Sequence, residues 1–188
     1  MATDNGTSAK AIKATPYATR IDLSEAKRHK LIALLNQTLA DTSDLYSQTK
    51  QAHWNVKGKD FYQLHLLYDE LAEKLEEPAD LVAERVMLLG GYARGTVRMA
   101  AENSRISPFP SLEDGADPRY LETLADRWAE YAKYIREDDG KADEIGDPAT
   151  TDLYDQITHI ADRGLWFIEG HIQRYEGGLP DGGADPGN

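Results

Sequence analysis

KQAHWNVKGKDFYQLHLLYDE, residues 50–70, and DLVAERVMLLGG, residues 80–91, hold the pattern that decides the fold. From about Phe61 to Leu89, the residues Leu64, Tyr68, Leu71, Leu75, Val82 and Leu89 recur on or near one helical stripe. Gly58 and Asp60 separate this helix from the one before it, and Gly90-Gly91 end it. Pro78 falls inside and is expected to kink or loosen the helix, because it removes one backbone donor. Outward to the N-terminal side, Ser24-Glu25 makes a helix start. Leu31, Leu34, Leu35, Leu39, Leu45 and Tyr46 then carry a first helix to the His53-Trp54-Asn55 region. On the C-terminal side, residues 90–116 are a Gly-, Pro- and Ser-rich crossover with one short helix expected near 97–102. A third long helix begins near Asp117-Pro118. After an expected break over 138–146, a fourth carries Leu153 to Ile172 and ends by Gly177. Four amphipathic helices with a long connection between the second and third describe an all-α, ferritin-like four-helix bundle. The expected boundaries are a flexible arm over 1–20, the bundle over 21–176 and a disordered tail over 177–188.

The same stretch carries the residues that can do chemistry. His65 and Asp69 are four apart and share a helix face, as do Asp80 and Glu84. Asp69 to Asp80 is three turns almost completed, so both pairs point the same way. Along the axis, however, they lie roughly 16 Å apart at about 1.5 Å per residue. Metal–oxygen and metal–nitrogen bonds are about 2 Å long, so one chain cannot bring both pairs to one ion. Either each pair is a separate weak site, or two copies of the helix pack antiparallel about a two-fold axis near Lys74 or Leu75. In the second arrangement His65 and Asp69 of one copy face Asp80 and Glu84 of the other, and symmetry makes two equal sites. His53 is placed to complete the imidazole side. Because Arg85 follows Glu84, a surface salt bridge is the bland alternative for the Asp80–Glu84 pair. His29, His159 and His171 lack an accompanying carboxylate pattern and are read as structural.

Composition narrows the classes. The chain has 188 residues, enough for one self-sufficient core, with a net charge of −12 and no cysteine. Thiolate metal sites, disulfides and cysteine nucleophiles are excluded. P-loop, Gly-x-Gly-x-x-Gly, Gly-x-Ser-x-Gly and His-Glu-x-x-His motifs are absent. No glutamate has a histidine three residues later, so the usual intra-bundle di-iron motif is missing too. No apolar run can span a bilayer and the N-terminus shows no apolar leader, so a cytoplasmic protein is expected. The acidic body disfavours nucleic acid. The arm differs: Lys10, Lys13 and Arg20 stand against a single Asp4.

The two quoted stretches, with LADRWAEYA at 124–132 and LWFIEGHI at 165–172, resemble the Dps family of miniferritins, over about residues 16–175. The resemblance implies an intersubunit dinuclear iron site made of His53, His65, Asp69, Asp80 and Glu84. It implies a ferroxidase that oxidises Fe(II), with hydrogen peroxide preferred over oxygen, and stores ferric mineral inside a homododecamer built from two-fold dimers. Lys50, one turn before His53, and Trp54, its neighbour, are then expected around the ligands. The LADR segment marks Asp126 as an iron-entry pore residue, with Glu130 a weaker candidate one turn on. Non-specific DNA binding through Lys10, Lys13 and Arg20, with the cage nucleoid-associated, is the alternative emphasis. Two departures stand out: Pro78 between the ligand pairs, and Leu66 where many relatives place a carboxylate.

Overall fold

The computed structural model describes residues 17–111 and 119–173. Among these residues five helices follow in order: α1 Glu25–Asn55, α2 Phe61–Leu88, α3 Val97–Asn103, α4 Arg119–Ile145 and α5 Pro148–Ile172. The long helices close a ring, α1 against α2 and α4, and α5 against both α4 and α2, while the short α3 lies on α1. Short turns join α1 to α2 and α4 to α5, so each pair runs antiparallel. The crossover carries the chain from α2 to α4, with α3 inside it. Among the described residues no helix is long and apolar enough to cross a membrane.

Local chemistry explains the boundaries. Ser24 caps α1, its hydroxyl accepting from the Lys27 N–H at 3.3 Å. The helix α2 runs through Pro78 without interruption, and the Pro78 ring is buried. Pro78 therefore does not break the helix. The expected break over 138–146 is corrected: α4 continues to Ile145. Asp138 there is a fully buried ion-pair partner, not a loop residue. The helix ends one step later, where Gly146 takes φ +80° and its N–H reaches the Ala142 carbonyl at 3.0 Å. Asp147 and Pro148 then open α5.

The core fills the ring with Leu31, Leu35, Leu45, Tyr68, Leu75, Val82, Trp128, Ile135, Tyr154, Ile157 and Ile168. Helices α4 and α5 approach closely because Gly164 has no side chain; a Cβ there would lie 2.3 Å from the Trp128 ring. The Trp128 indole N–H donates to Thr49 Oγ1 at 3.2 Å, so this large side chain is both packed and satisfied.

A charged network crosses this apolar interior. Arg105, just past α3, sends its guanidinium between the fully buried carboxylates of Asp41 on α1 and Asp138 on α4. Its Nη2 lies 2.6 Å from an oxygen of each, and its backbone N–H donates to Asp41 at 2.7 Å. The Tyr134 ring lies 4.5 Å beneath the guanidinium carbon. Lys141 adds a second cation to Asp138 at 2.7 Å. The crossover is thus fastened to α1, which it does not adjoin in sequence, and to the far part of α4.

Two further clasps hold the C-terminal end of α2. Arg85 donates to Asp147 at 2.6 Å and to Thr150 at 3.1 Å, tying α2 to the turn between α4 and α5. Burial works against the Asp147 charge, but hydrogen bonds from Thr150 and Arg85 outweigh it and hold the carboxyl below its ordinary value. At the other clasp the Tyr17 N–H donates to the Gly90 carbonyl, and Arg28 donates to Leu89 at 3.0 Å and Tyr17 at 3.4 Å. The N-terminal segment therefore joins the bundle at the end of α2. Lys10 and Lys13 lie outside the described residues, as does the expected tail over 177–188; Arg20 is exposed.

Candidate metal centre

The end of α1 and the first turns of α2 meet in a compact histidine pair. His53 is buried, and its Nδ1 donates to the His65 carbonyl at 2.8 Å; the His65 Nδ1 donates back to the His53 carbonyl at 3.0 Å. A carbonyl only accepts, so each ring carries a proton on Nδ1, which leaves Nε2 as the nitrogen that can face a metal ion. The rings stack with centroids 3.9 Å apart, and Phe61 continues the stack on His65 at 5.1 Å. Two imidazoles are thereby fixed in the tautomer that a metal ion requires. This arrangement is local in origin: the short α1–α2 turn folds residue 65 back against residue 53.

Asp69, one turn beyond His65, brings its Oδ1 to 3.7 Å from the His53 Nε2. The same oxygen accepts from the Lys50 ammonium at 2.5 Å. That hydrogen bond holds the Asp69 carboxyl below its ordinary value, with His53 adding to the effect, and raises the Lys50 ammonium in return. Asp69 is therefore a carboxylate throughout the neutral range.

Asp80 and Glu84 lie further along α2 on exposed positions, and neither makes a hydrogen bond or ion pair among the described residues. The salt-bridge alternative for this pair does not hold, because Arg85 is turned inward to Asp147 and Thr150. The chain thus brings His53, His65 and Asp69 together and leaves Asp80 and Glu84 apart from them. Among the described residues of one chain, no three His, Cys, Asp or Glu side chains converge well enough to hold a metal ion.

Between the two groups runs an open groove walled by α1, α2 and the α3 region. Its lining includes Lys50, Trp54, Glu76, Asp80, Val97 and Ala101. Trp54 is 67% exposed and so is not a core aromatic. Val97 is exposed at the groove edge, and Leu66 and Leu81 are exposed elsewhere on α2. A carboxylate pair without counterions beside an apolar groove is an arrangement that a second surface would complete.

The remaining predicted residues separate cleanly. Asp126 is exposed and has no ion-pair partner among the described residues. Glu130 is half-buried and engaged: it accepts from the Ser107 N–H at 2.8 Å and pairs with Arg127 at 3.1 Å. His29 is exposed and lies 3.6 Å from Glu25, and His159 and His171 are exposed on α5. Sequence reasoning missed Arg85 and Arg105 as organising cations. Their partners are 62, 64 and 33 residues away, so no local spacing could have revealed them.

Comparison with known proteins agrees with this architecture. A family model described as a ferritin-like domain matches residues 32–177. The DNA protection during starvation protein of Agrobacterium fabrum is 35% identical over 161 residues, spanning 84% of this chain and 96% of its own. Among solved structures, DpsC from Streptomyces coelicolor superposes with a TM-score of 0.80 at 31% identity, covering 86% of this chain and 94% of that one. Dps of Mycobacterium smegmatis gives 0.80 at 25% identity, over 87% and 98% of the two chains. With the fold, the histidine–carboxylate cluster and these likenesses in agreement, the chain belongs to the Dps family within the ferritin-like proteins.

Proposed function

We propose that the protein oxidises Fe(II), preferably with hydrogen peroxide, at sites completed between two subunits, and stores the ferric product within a homododecamer. The observation that carries this reading is one half-site facing a gap: two imidazoles with free Nε2 lone pairs beside an ionised Asp69, and two unpaired carboxylates further along the same helix face. Because α2 is continuous between the two pairs, the helical rise keeps them roughly 16 Å apart within one chain. A second copy, packed antiparallel across the groove, would set Asp80 and Glu84 of one subunit against His53, His65 and Asp69 of the other. Symmetry would give two such sites per dimer, each with room for two iron ions.

The donor set fits that substrate. Three carboxylates and two imidazoles accept both ferrous and ferric iron and include no thiolate that an oxidant would destroy. The Nδ1–H bonds to backbone carbonyls orient the ligand nitrogens before any metal arrives. In the overall reaction two ferrous ions yield one electron each, and peroxide takes both as its O–O bond breaks. Holding two irons together avoids the one-electron reduction that releases hydroxyl radical, which supports a role in protecting DNA chemically. Trp54, exposed in the groove beside His53, is placed to intercept stray oxidising equivalents. The test is anaerobic Fe(II) loading followed by a stoichiometric peroxide pulse read in the near ultraviolet. Full ferric absorbance from one peroxide per two irons is expected; a slow or absent rise would overturn the reading.

We also assign Asp126 to an acidic entry path at the three-fold axes; Glu130 is tied to Arg127 and the crossover and is the weaker member. Repeated about a three-fold axis, Asp126 would focus a field attractive to cations. Asp126→Asn should slow uptake at low iron and low salt while leaving oxidation at saturating iron unchanged. An unaltered uptake rate would remove Asp126 from the path.

DNA binding through the arm is the second reading, and nucleoid association in the cytoplasm would follow from it. It is favoured by the basic residues Lys10, Lys13 and Arg20 on an otherwise acidic chain, and by the anchoring of the segment at Tyr17. Twelve weak arms on one cage act together through effective concentration. Deleting residues 1–15 should abolish gel retardation at low salt while assembly and iron oxidation survive, and retardation by the intact cage should fade steeply with salt. Equal retardation by both forms would place DNA binding on another surface.

A further inference from the structure

Large apolar side chains are not spread evenly over the surface. Of the eleven exposed among the described residues, six lie on α2: Phe61, Tyr62 and Leu66 near its start, and Leu81, Met87 and Leu88 towards its end. The middle of the helix is charged instead, with Glu73, Lys74, Glu76 and Glu77 all exposed. The two apolar ends mirror one another. Positions 61 and 88, and 62 and 87, share their midpoint with the ligand pairs 65 and 84, and 69 and 80; all four midpoints fall between Lys74 and Leu75. Helical phase then selects one apolar pair. Eighteen residues make five full turns at about 3.6 residues per turn, so Met87 lies in line with Asp69, and Tyr62 in line with Asp80. The helix is continuous over this span, so the phase carries through. Tyr62 is 67% exposed and Met87 50%. Phe61, by contrast, is already stacked on His65 within the chain.

Resting on the intersubunit-site reading, we propose that Tyr62 of one copy packs on Met87 of the other and closes the outer end of each shared metal site. A helix whose chemistry reads alike from both ends suits a two-fold contact, because each position then meets its mirror. In the antiparallel register the common midpoint falls on the axis. Tyr62 lies just beyond His65 on the side away from that axis, so the pair it forms with Met87 caps the ligands from outside. Glu73 and Glu76 bring like charges together near the axis, so the favourable contact comes from the apolar ends. A flexible thioether fits against a phenol ring without demanding one exact geometry.

The chain has no cysteine, so cross-linking reads the register directly. Assembled Tyr62→Cys/Met87→Cys protein is oxidised, or treated with a short bis-maleimide, and run on a denaturing non-reducing gel. Tyr62→Cys, Met87→Cys and the displaced pair Tyr62→Cys/Leu81→Cys run beside it. Covalent dimers are expected from the matched pair only, because a disulfide needs Cα atoms within about 7 Å. In either single variant the two sulfurs lie roughly 37 Å apart along the helices, at about 1.5 Å per residue. The second measurement is oxidation of Met87 by peroxide without iron, followed by mass spectrometry. Its sulfoxide should form several-fold faster in Tyr62→Ser than in wild type, because the substitution uncovers the thioether. The proposal is overturned if the matched pair gives no covalent dimer, if the displaced pair gives as much, or if Met87 oxidises equally fast in both proteins. Should it fail while cages mixing His65→Ala with Asp80→Ala chains regain activity, the shared site stands and only the cap is removed. Should the mixing fail as well, the antiparallel arrangement itself is wrong.

Discussion

Cages of His65→Ala alone, or of Asp80→Ala alone, are expected to lose peroxide-driven iron oxidation by at least about 10- to 100-fold, the range in which even changes to the partners of metal ligands weaken a metal site. Both should assemble, because the contacts of the His65 side chain are confined to His53 and Phe61 at the α1–α2 turn and Asp80 is unpaired and exposed. The decisive experiment mixes them. In a dimer of one His65→Ala chain and one Asp80→Ala chain, the intact His65 faces the intact Asp80 at one site, and both lesions fall at the other. Random co-expression makes half of the dimers mixed, so roughly a quarter of all sites should return to wild type by symmetry. Activity of the mixed cages should rise to about that fraction of wild type. If mixing restores nothing, the two pairs do not share a site across an interface.

The second large effect concerns stability. Arg105→Met should cost about 3–5 kcal/mol, because it leaves the Asp41 and Asp138 carboxylates buried without their shared cation. Lys141 still reaches Asp138, so Asp41 carries most of the penalty. Arg105→Lys should recover part of the loss, since one ammonium cannot replace the fork that spans two carboxylates. The pH dependence has a definite sign. Burial already pushes the Asp41 carboxyl above its ordinary value with Arg105 present, against the pull of Arg105, Gln37 and the backbone N–H. Without the guanidinium it rises further. A carboxyl raised in the folded state is penalised above that pKa and relieved as pH falls towards the unfolded value of about 4. The deficit of Arg105→Met relative to Arg105→Lys should therefore be full near neutral pH and shrink in acid. Urea midpoints for the two variants, measured across that range, are the check. A midpoint equal to wild type at neutral pH would show that the buried carboxylates do not depend on Arg105.

The same network reaches α3. Asn36 on α1 binds the Tyr92 carbonyl at 3.1 Å and the Arg94 N–H at 2.8 Å, Gln37 binds the Asn103 carbonyl at 2.7 Å, and Arg105 closes the far side. The short helix is held at both ends by a polar row on α1. Since the α3 region walls the groove, the network that stabilises the chain also shapes that groove.

The sequence by itself determined the four long helices and the crossover, because apolar spacing, Gly58 and Gly90-Gly91 are local signals. The His65–Asp69 and Asp80–Glu84 pairs were equally legible, since residues four apart on a helix must share a face. The break expected over 138–146 was misplaced because Asp-Asp-Gly reads locally as a turn. The distant Arg105, together with Lys141, makes a buried Asp138 tolerable within the helix. The tertiary structure alone decided that Arg85 turns inward and leaves Asp80 and Glu84 unpaired. It also decided that the two histidines exchange Nδ1 hydrogen bonds with each other's carbonyls, and that Lys50 rests on Asp69. Each of these joins groups from different elements of the chain, and helix periodicity fixes which face a residue lies on but not what that face meets.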